Sequence, residues 1–189
     1  ADSHRVLWPA FAAINGIDPA SVTLVNVKPE GKQAIVAAGE VDGSFDLYTS
    51  YAIWEKVLGK GEVANLLWAD FGLPIYGHTY FVNNELLQKN PKLVERFLRA
   101  TPKGWRDAKA NPTASIDAMV ETVPGLDRNT LLATMPQILD LCVTERSAKH
   151  GLGWIEPELM QKTMDITFAS NKPDKALAVN DVFTNQYNS

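Results

Sequence analysis

The chain has little with which to do chemistry. One cysteine and three histidines occur in 189 residues. A single cysteine makes no internal disulfide, which neither requires nor excludes an oxidising compartment. Cys142 lies in Ile138-Leu139-Asp140-Leu141-Cys142-Val143, where periodic apolar neighbours predict a packed thiol, not a nucleophile. His4, His78 and His150 do not share metal-ligand spacing with one another or with the cysteine, so neither a metal nor a cofactor is expected. There is no Gly-x-Ser-x-Gly elbow. The glycines of Gly151-Leu152-Gly153-Trp154 follow a helical stretch instead of opening a phosphate loop. Acidic pairs fall on predicted solvated helix faces or at caps, which argues against general acid–base work and for a non-enzyme.

Long apolar runs are missing too. Asp, Glu, Lys or Asn interrupts every hydrophobic stretch before the roughly 18 residues that cross a bilayer. No basic segment followed by an apolar one opens the chain, and it starts at Ala1 without a methionine, so its beginning reads as processed, trimmed or left out. With 18 basic and 22 acidic side chains and a net charge of −4, counterion release has no basic field to draw on, and nucleic acid is not an expected partner.

What is present is a change of texture along the chain. Asp2-Ser3 caps a predicted helix with Val6, Leu7, Phe11 and Ile14 as its apolar positions, ending at Asn15-Gly16. Runs at 22–27, 44–48 and 63–68 read as short buried strands. Helices over about 29–38 and 51–58 separate them. This alternation predicts a parallel α/β layer with ligand contacts at the carboxyl ends of its strands, in the loops at Tyr48-Thr49-Ser50 and Trp68-Ala69-Asp70. A boundary is expected near 73–82, after which the chain turns helical. Asn90-Pro91, Asn111-Pro112, Asp127-Arg128 and Glu156-Pro157 mark four helix starts. Leu93, Val94, Phe97 and Leu98 form the predicted inward stripe of the first. The tail is expected to dock through Val182-Phe183.

Several segments in order carry a family resemblance. They are Trp8-Pro9-Ala10-Phe11-Ala12-Ala13-Ile14-Asn15-Gly16, Ala38-Gly39-Glu40-Val41-Asp42-Gly43, Leu67-Trp68-Ala69-Asp70-Phe71-Gly72-Leu73-Pro74, Asn90-Pro91-Lys92-Leu93-Val94-Glu95-Arg96, Gly151-Leu152-Gly153-Trp154-Ile155 and Asp181-Val182-Phe183-Thr184-Asn185. Together they resemble extracytoplasmic solute-binding proteins that serve ABC importers of the sulfonate, nitrate and thiamine-pyrimidine-precursor group. The resemblance implies an α/β fold of the type II periplasmic binding kind. Residues 1–78 would be one nearly complete α/β lobe, and 79–189 a helical part returning to the other lobe. Such proteins open with a βαβ portion that nothing here matches, so the chain reads as a fragment or as a shortened protein with a patched core. The fragment is favoured, because a helical layer needs a sheet to bury its stripe against.

By the same resemblance the chain is a periplasmic or otherwise extracytoplasmic monomer. It would close two lobes around a small solute and deliver it to an inner-membrane permease. Ser3 and His4 would offer a hydroxyl and a positive helix end, or serve as an ordinary helix start. Tyr48, Thr49 and Tyr51 would sandwich and orient a planar ring, or pack the lobe surface. Trp68 and Asp70 end the third strand, where Asp70 would accept from a ligand amine or cap the next turn. Tyr76 and His78 flank the expected hinge, while Trp54, Trp105 and Trp154 read as packing. Two rival readings share the architecture: the effector-sensing domain of a transcription regulator, and an enzyme similar to the fungal pyrimidine-precursor synthases. The first predicts a helix-turn-helix upstream, and the second a cysteine-rich segment absent here.

Overall fold

The computed structural model describes residues 3–187 and forms two compact units. Unit 1 comprises Ala1–Ile75 and Glu158–Leu177; unit 2 comprises Tyr76–Pro157 and Ala178–Ser189.

Unit 1 opens with α1 (Ser3–Ile14), which runs on through Pro9. The expected cap Asp2 lies outside the described residues. The helix stops at Gly16, whose φ of 64° permits the left-handed turn in which Ile17 N–H donates to the Ala12 carbonyl. Helices α2 (Lys32–Ala37) and α3 (Tyr51–Leu58) follow, each entered through a 3-10 turn. The segments expected as strands, 22–27, 44–48 and 63–68, form no β-ladder, although Val22, Leu47 and Leu67 have extended backbone, and no strand occurs among the described residues. β-branched composition sets a backbone conformation; a sheet also needs a second segment in register, a non-local condition that propensity does not encode. Two of these runs end early, because Tyr48–Ser50 and Trp68–Phe71 coil into 3-10 turns. The inward face of α1 also differs from expectation. Trp8 and Ala12 are buried, while Val6 and Ile14 are exposed.

Unit 2 follows its punctuation closely. A short α4 (Asn84–Lys89) leads to α5 (Pro91–Ala110), α6 (Pro112–Thr122) and α7 (Arg128–Cys142). The side chains of Asn83, Asn90, Asn111 and Asp127 accept from backbone N–H groups in the first turns. Helices α5, α6 and α7 pack around Ala108, Ile116, Met135 and Leu139, with Trp105, Val120, Leu131 and Leu132 at the margin. In α5 the buried positions are Val94, Pro102 and Ala108; Leu93 and Phe97, expected inside, face solvent. The apolar positions of this helix exceed what its inward arc can hold.

Helix α8 (Glu145–His150), the helical stretch expected before Gly151, opens with a Thr144–Ser147 capping box. Helix α9 (Pro157–Ser170) begins at the predicted start, and α10 (Val179–Val182) lies in the tail. The tail is anchored by Asn185, whose amide accepts from the Ile155 N–H at 2.9 Å and donates to its carbonyl at 2.7 Å. Val182 itself is exposed. Cys142 is half-buried, and burial pushes its thiol above the ordinary value, as suits a packing role.

Between α6 and the start of α7, Arg128 Nε donates to Asp117 Oδ1 at 2.6 Å. That hydrogen bond, helped by the guanidinium charge and opposed by desolvation, holds the Asp117 carboxyl below its usual range. A depressed folded pKa means stability that is present above the unfolded value of 3.8 and lost as pH falls through the lower folded value. Asp117→Asn should therefore lower the denaturation midpoint at neutral pH, with the difference from the native chain shrinking below pH 3.8. Urea titrations at the two pH values check this.

Candidate functional site

Three segments of unit 1 converge on a cluster of rings. His4, Trp8 and Phe11 stand at i, i+4 and i+7 on α1, one face of the helix. Phe45 comes from the extended run before α3, and Trp68 opens the 3-10 turn Trp68–Phe71. Phe11 stacks on Trp68 with centroids 4.5 Å apart. Trp8, buried at the base, tilts against Phe45 at 5.4 Å. His4 and Phe45 are nearly parallel, 15° apart in plane at 6.1 Å. Trp68 stands almost perpendicular to both, at 86° to His4 and 80° to Phe45. The result is an aromatic cluster, a near-parallel His4–Phe45 pair with Trp68 perpendicular to both, at separations where ring pairs attract. His4, Phe11, Phe45 and Trp68 remain half-buried.

Backbone contacts hold the pieces. Gly72, at φ 86°, lets the turn lie against α1, where a Cβ would meet Ile14 Cγ2 at 2.8 Å. Asn15 Nδ2 donates to the Phe71 carbonyl at 3.0 Å. Lys32 Nζ donates to the Phe45 carbonyl at 2.8 Å. The adjacent Asp46 is the anchor of the segment: its carboxylate accepts from the buried Trp54 indole N–H at 2.9 Å, from the Leu47 N–H at 2.8 Å and from the Ser50 hydroxyl at 3.4 Å.

Of the residues selected from sequence, the structure brings His4 and Trp68 together. Ser3 begins α1, one residue from His4. Tyr48 and Thr49 form the turn that enters α3, three and four residues from Phe45. Tyr51 binds locally, its hydroxyl donating toward Val63 O at 3.3 Å and Glu55 Oε1 at 3.4 Å. Partial burial first, then Glu55, raise its phenol above the ordinary pKa. Asp70 is exposed in the turn, its N–H donating to the Leu67 carbonyl. Sequence reasoning missed Trp8, Phe45 and Asp46 as site-building residues. The i, i+4, i+7 aromatic spacing on α1 was an available signal; the partners of Asp46 were not.

Unit 2 holds a concavity of about 410 Å³ against α5, α6 and α7, lined by Trp105, Ala108, Met119, Leu131, Met135 and others. The Thr101 hydroxyl there already donates to the Phe97 carbonyl. Among the described residues no group of three or more His, Cys, Asp or Glu side chains could hold a metal ion. No helix among them is long and apolar enough to cross a membrane.

Comparison with known proteins places these features in context. A family model described as NMT1/THI5 like matches residues 3–115, more than half of the chain. The riboflavin-binding protein RibY of Chloroflexus aurantiacus is 28% identical over 146 residues, covering 72% of this chain and 40% of that protein. The chain thus spans about two-fifths of the length of the curated relative it matches. No solved structure matches it.

The anchoring role of Asp46 is testable. Asp46→Ala leaves the buried Trp54 N–H without its acceptor, and unit 1 should lose about 2 kcal/mol. Asp46→Asn, which keeps an acceptor oxygen, should lose less than half of that. Equal losses in chemical denaturation would remove the indole bond as the cause.

Proposed function

The chain belongs to the NMT1/THI5-like family, and from that membership we propose that it is the non-enzymatic, solute-capturing part of an ABC importer working outside the cytoplasm. The carrying observation is the aromatic cluster of His4, Phe45 and Trp68 with the buried Trp8. Rings of this cluster that part slightly would suit a planar heterocycle, which gains apolar burial and stacking without needing a charged partner. The similarity to a riboflavin-binding protein supports the same class of guest. Ser3 and His4, at the start of α1, would meet a polar or anionic edge of that guest. Tyr48 and Thr49 would border it, and Asp70 would accept from a ligand amine.

In this reading the extended segments 22–27, 44–48 and 63–68 are the strand positions of an α/β lobe of the type II periplasmic binding kind. The lobe division falls near residue 78, and ligand binding draws two lobes together before delivery to a permease. The protein acts as a monomer.

Calorimetric titration of the purified protein with riboflavin, an aminopyrimidine and a short alkyl sulfonate tests the proposal. At least one of the two planar compounds should bind. Trp68→Ala should weaken that binding by tenfold or more, about 1.4 kcal/mol, and Tyr48→Ala by less, with unit 1 still folded by circular dichroism. The reading is overturned if none of the three binds and mass spectrometry finds no small molecule released from the purified protein on denaturation.

A further inference from the structure

Helix α5 carries a charge pattern that the rest of the chain does not share. Over Pro91–Ala110 it has six basic and two acidic side chains, in a chain whose net charge is −4. Five of the six, Lys92, Arg96, Arg99, Lys103 and Arg106, are spaced i, i+4, i+7, i+11 and i+14, which lines them up along one face. All five are exposed. Lys103 has an ion-pair partner in Asp107 on the same helix.

The edge beside this stripe is apolar. At a turn of 100° per residue, Leu93, Phe97, Ala100 and Gly104 fall between the basic stripe and the buried positions Val94 and Ala108. All four are exposed. Segment 79–83 lies along this edge. Tyr80 meets the Phe97 ring at 5.6 Å, and its hydroxyl accepts from the Trp105 indole at 3.1 Å. Next to it Phe81 is 97% exposed. A phenyl ring left wholly in water, beside a half-exposed tyrosine and phenylalanine and a row of five cations, is not accounted for by the packing of unit 2. Each element has the chemistry of an interfacial helix: basic side chains at headgroup level, and aromatic rings at the boundary with the acyl chains.

We propose that the α5 stripe and Phe81 form a peripheral docking surface for an anionic lipid bilayer. Charge complementarity selects the lipid headgroups, at about fivefold in affinity per cation near the surface. The apolar edge favours a bilayer over a purely polar polyanion, because Phe81 then leaves water. Tyr80, tied to Phe97 and Trp105, holds the segment so that little ordering accompanies docking. This surface involves none of the rings of unit 1, so its test has a readout separate from that of the solute reading.

Co-sedimentation of the full chain with vesicles of phosphatidylglycerol and phosphatidylcholine in equal parts, against phosphatidylcholine alone, tests it. Binding is expected only to the anionic vesicles, and it should fade between about 0.05 M and about 0.5 M salt. Arg96→Gln with Arg99→Gln should weaken it roughly 30-fold, and Phe81→Ser roughly tenfold. All three residues are exposed, so both variants should keep the native circular dichroism; Lys92→Gln with Arg106→Gln repeats the charge arm should the first pair misfold. A Phe81→Trp variant should show a blue-shifted emission on the anionic vesicles. The proposal is overturned by no binding at low salt, by equal binding to neutral vesicles, or by indifference to the charge variants. Binding of polyglutamate as tight as that of vesicles, with Phe81→Ser unchanged in both, would assign the stripe to an acidic protein partner instead.

Discussion

Unit 1 depends on the hydrogen bond between the Trp54 indole and the Asp46 carboxylate. Its extended segments have no β-ladder among the described residues, so backbone pairing does not fix where residues 44–47 run. The fixing is done by side chains: Asp46 binds Trp54 and Ser50 on the way into α3, and Lys32 of α2 holds the Phe45 carbonyl. Phe45 and Asp46 are adjacent, and their side chains have different partners, Trp8 and Trp54. Anchoring one sets the other. The carboxylate turned toward Trp54 is what leaves the phenyl ring to face His4 and Trp8.

How much of this was legible depends on how local each cause is. Helix starts in unit 2 were readable because an Asn or Asp side chain and a following proline satisfy or remove N–H donors within three residues; α5, α6 and α7 begin where Asn90, Asn111 and Asp127 said they would. The stop at Gly16 was readable for the same reason, since the left-handed turn needs only that residue. Strand pairing was not, because β-branched composition at 22–27 fixes φ and ψ but not a partner; Val25 is 58% exposed and Leu66 69%. Periodicity also misjudged faces. Leu93 and Phe97 fit an inward stripe by spacing, yet Val94, Pro102 and Ala108 fill the contact with α6 and α7. Apolar spacing says that a face exists; which arc is buried is decided by the neighbours.

The candidate site shows the same division. His4 and Trp68 could be named because each ends or begins an element, where side chains are free of helix and strand packing. That they would meet could not be read, since the contact joins residues 64 positions apart and depends on Gly72 allowing a close approach to Ile14. Family membership adds the expectation of a bound solute to this geometry, without assigning a role to any one ring.

Ring geometry limits where a planar guest could sit. Phe11 and Trp68 are already in stacking contact at 4.5 Å and 19°, and nothing enters between them without separating the pair. His4 and Phe45 are near parallel, at 15°, with centroids 6.1 Å apart. A ring sandwiched at van der Waals distance needs about 7 Å between its walls, so this pair would have to part to admit one. Trp68, perpendicular to both walls, would then close the end of the slot with its edge or face. The Phe11 contact stabilises Trp68 in that orientation, and buried Trp8 supports Phe45 from below. The stacked pair serves as the fixed part of the site, with His4 on the first turn of α1 beside it.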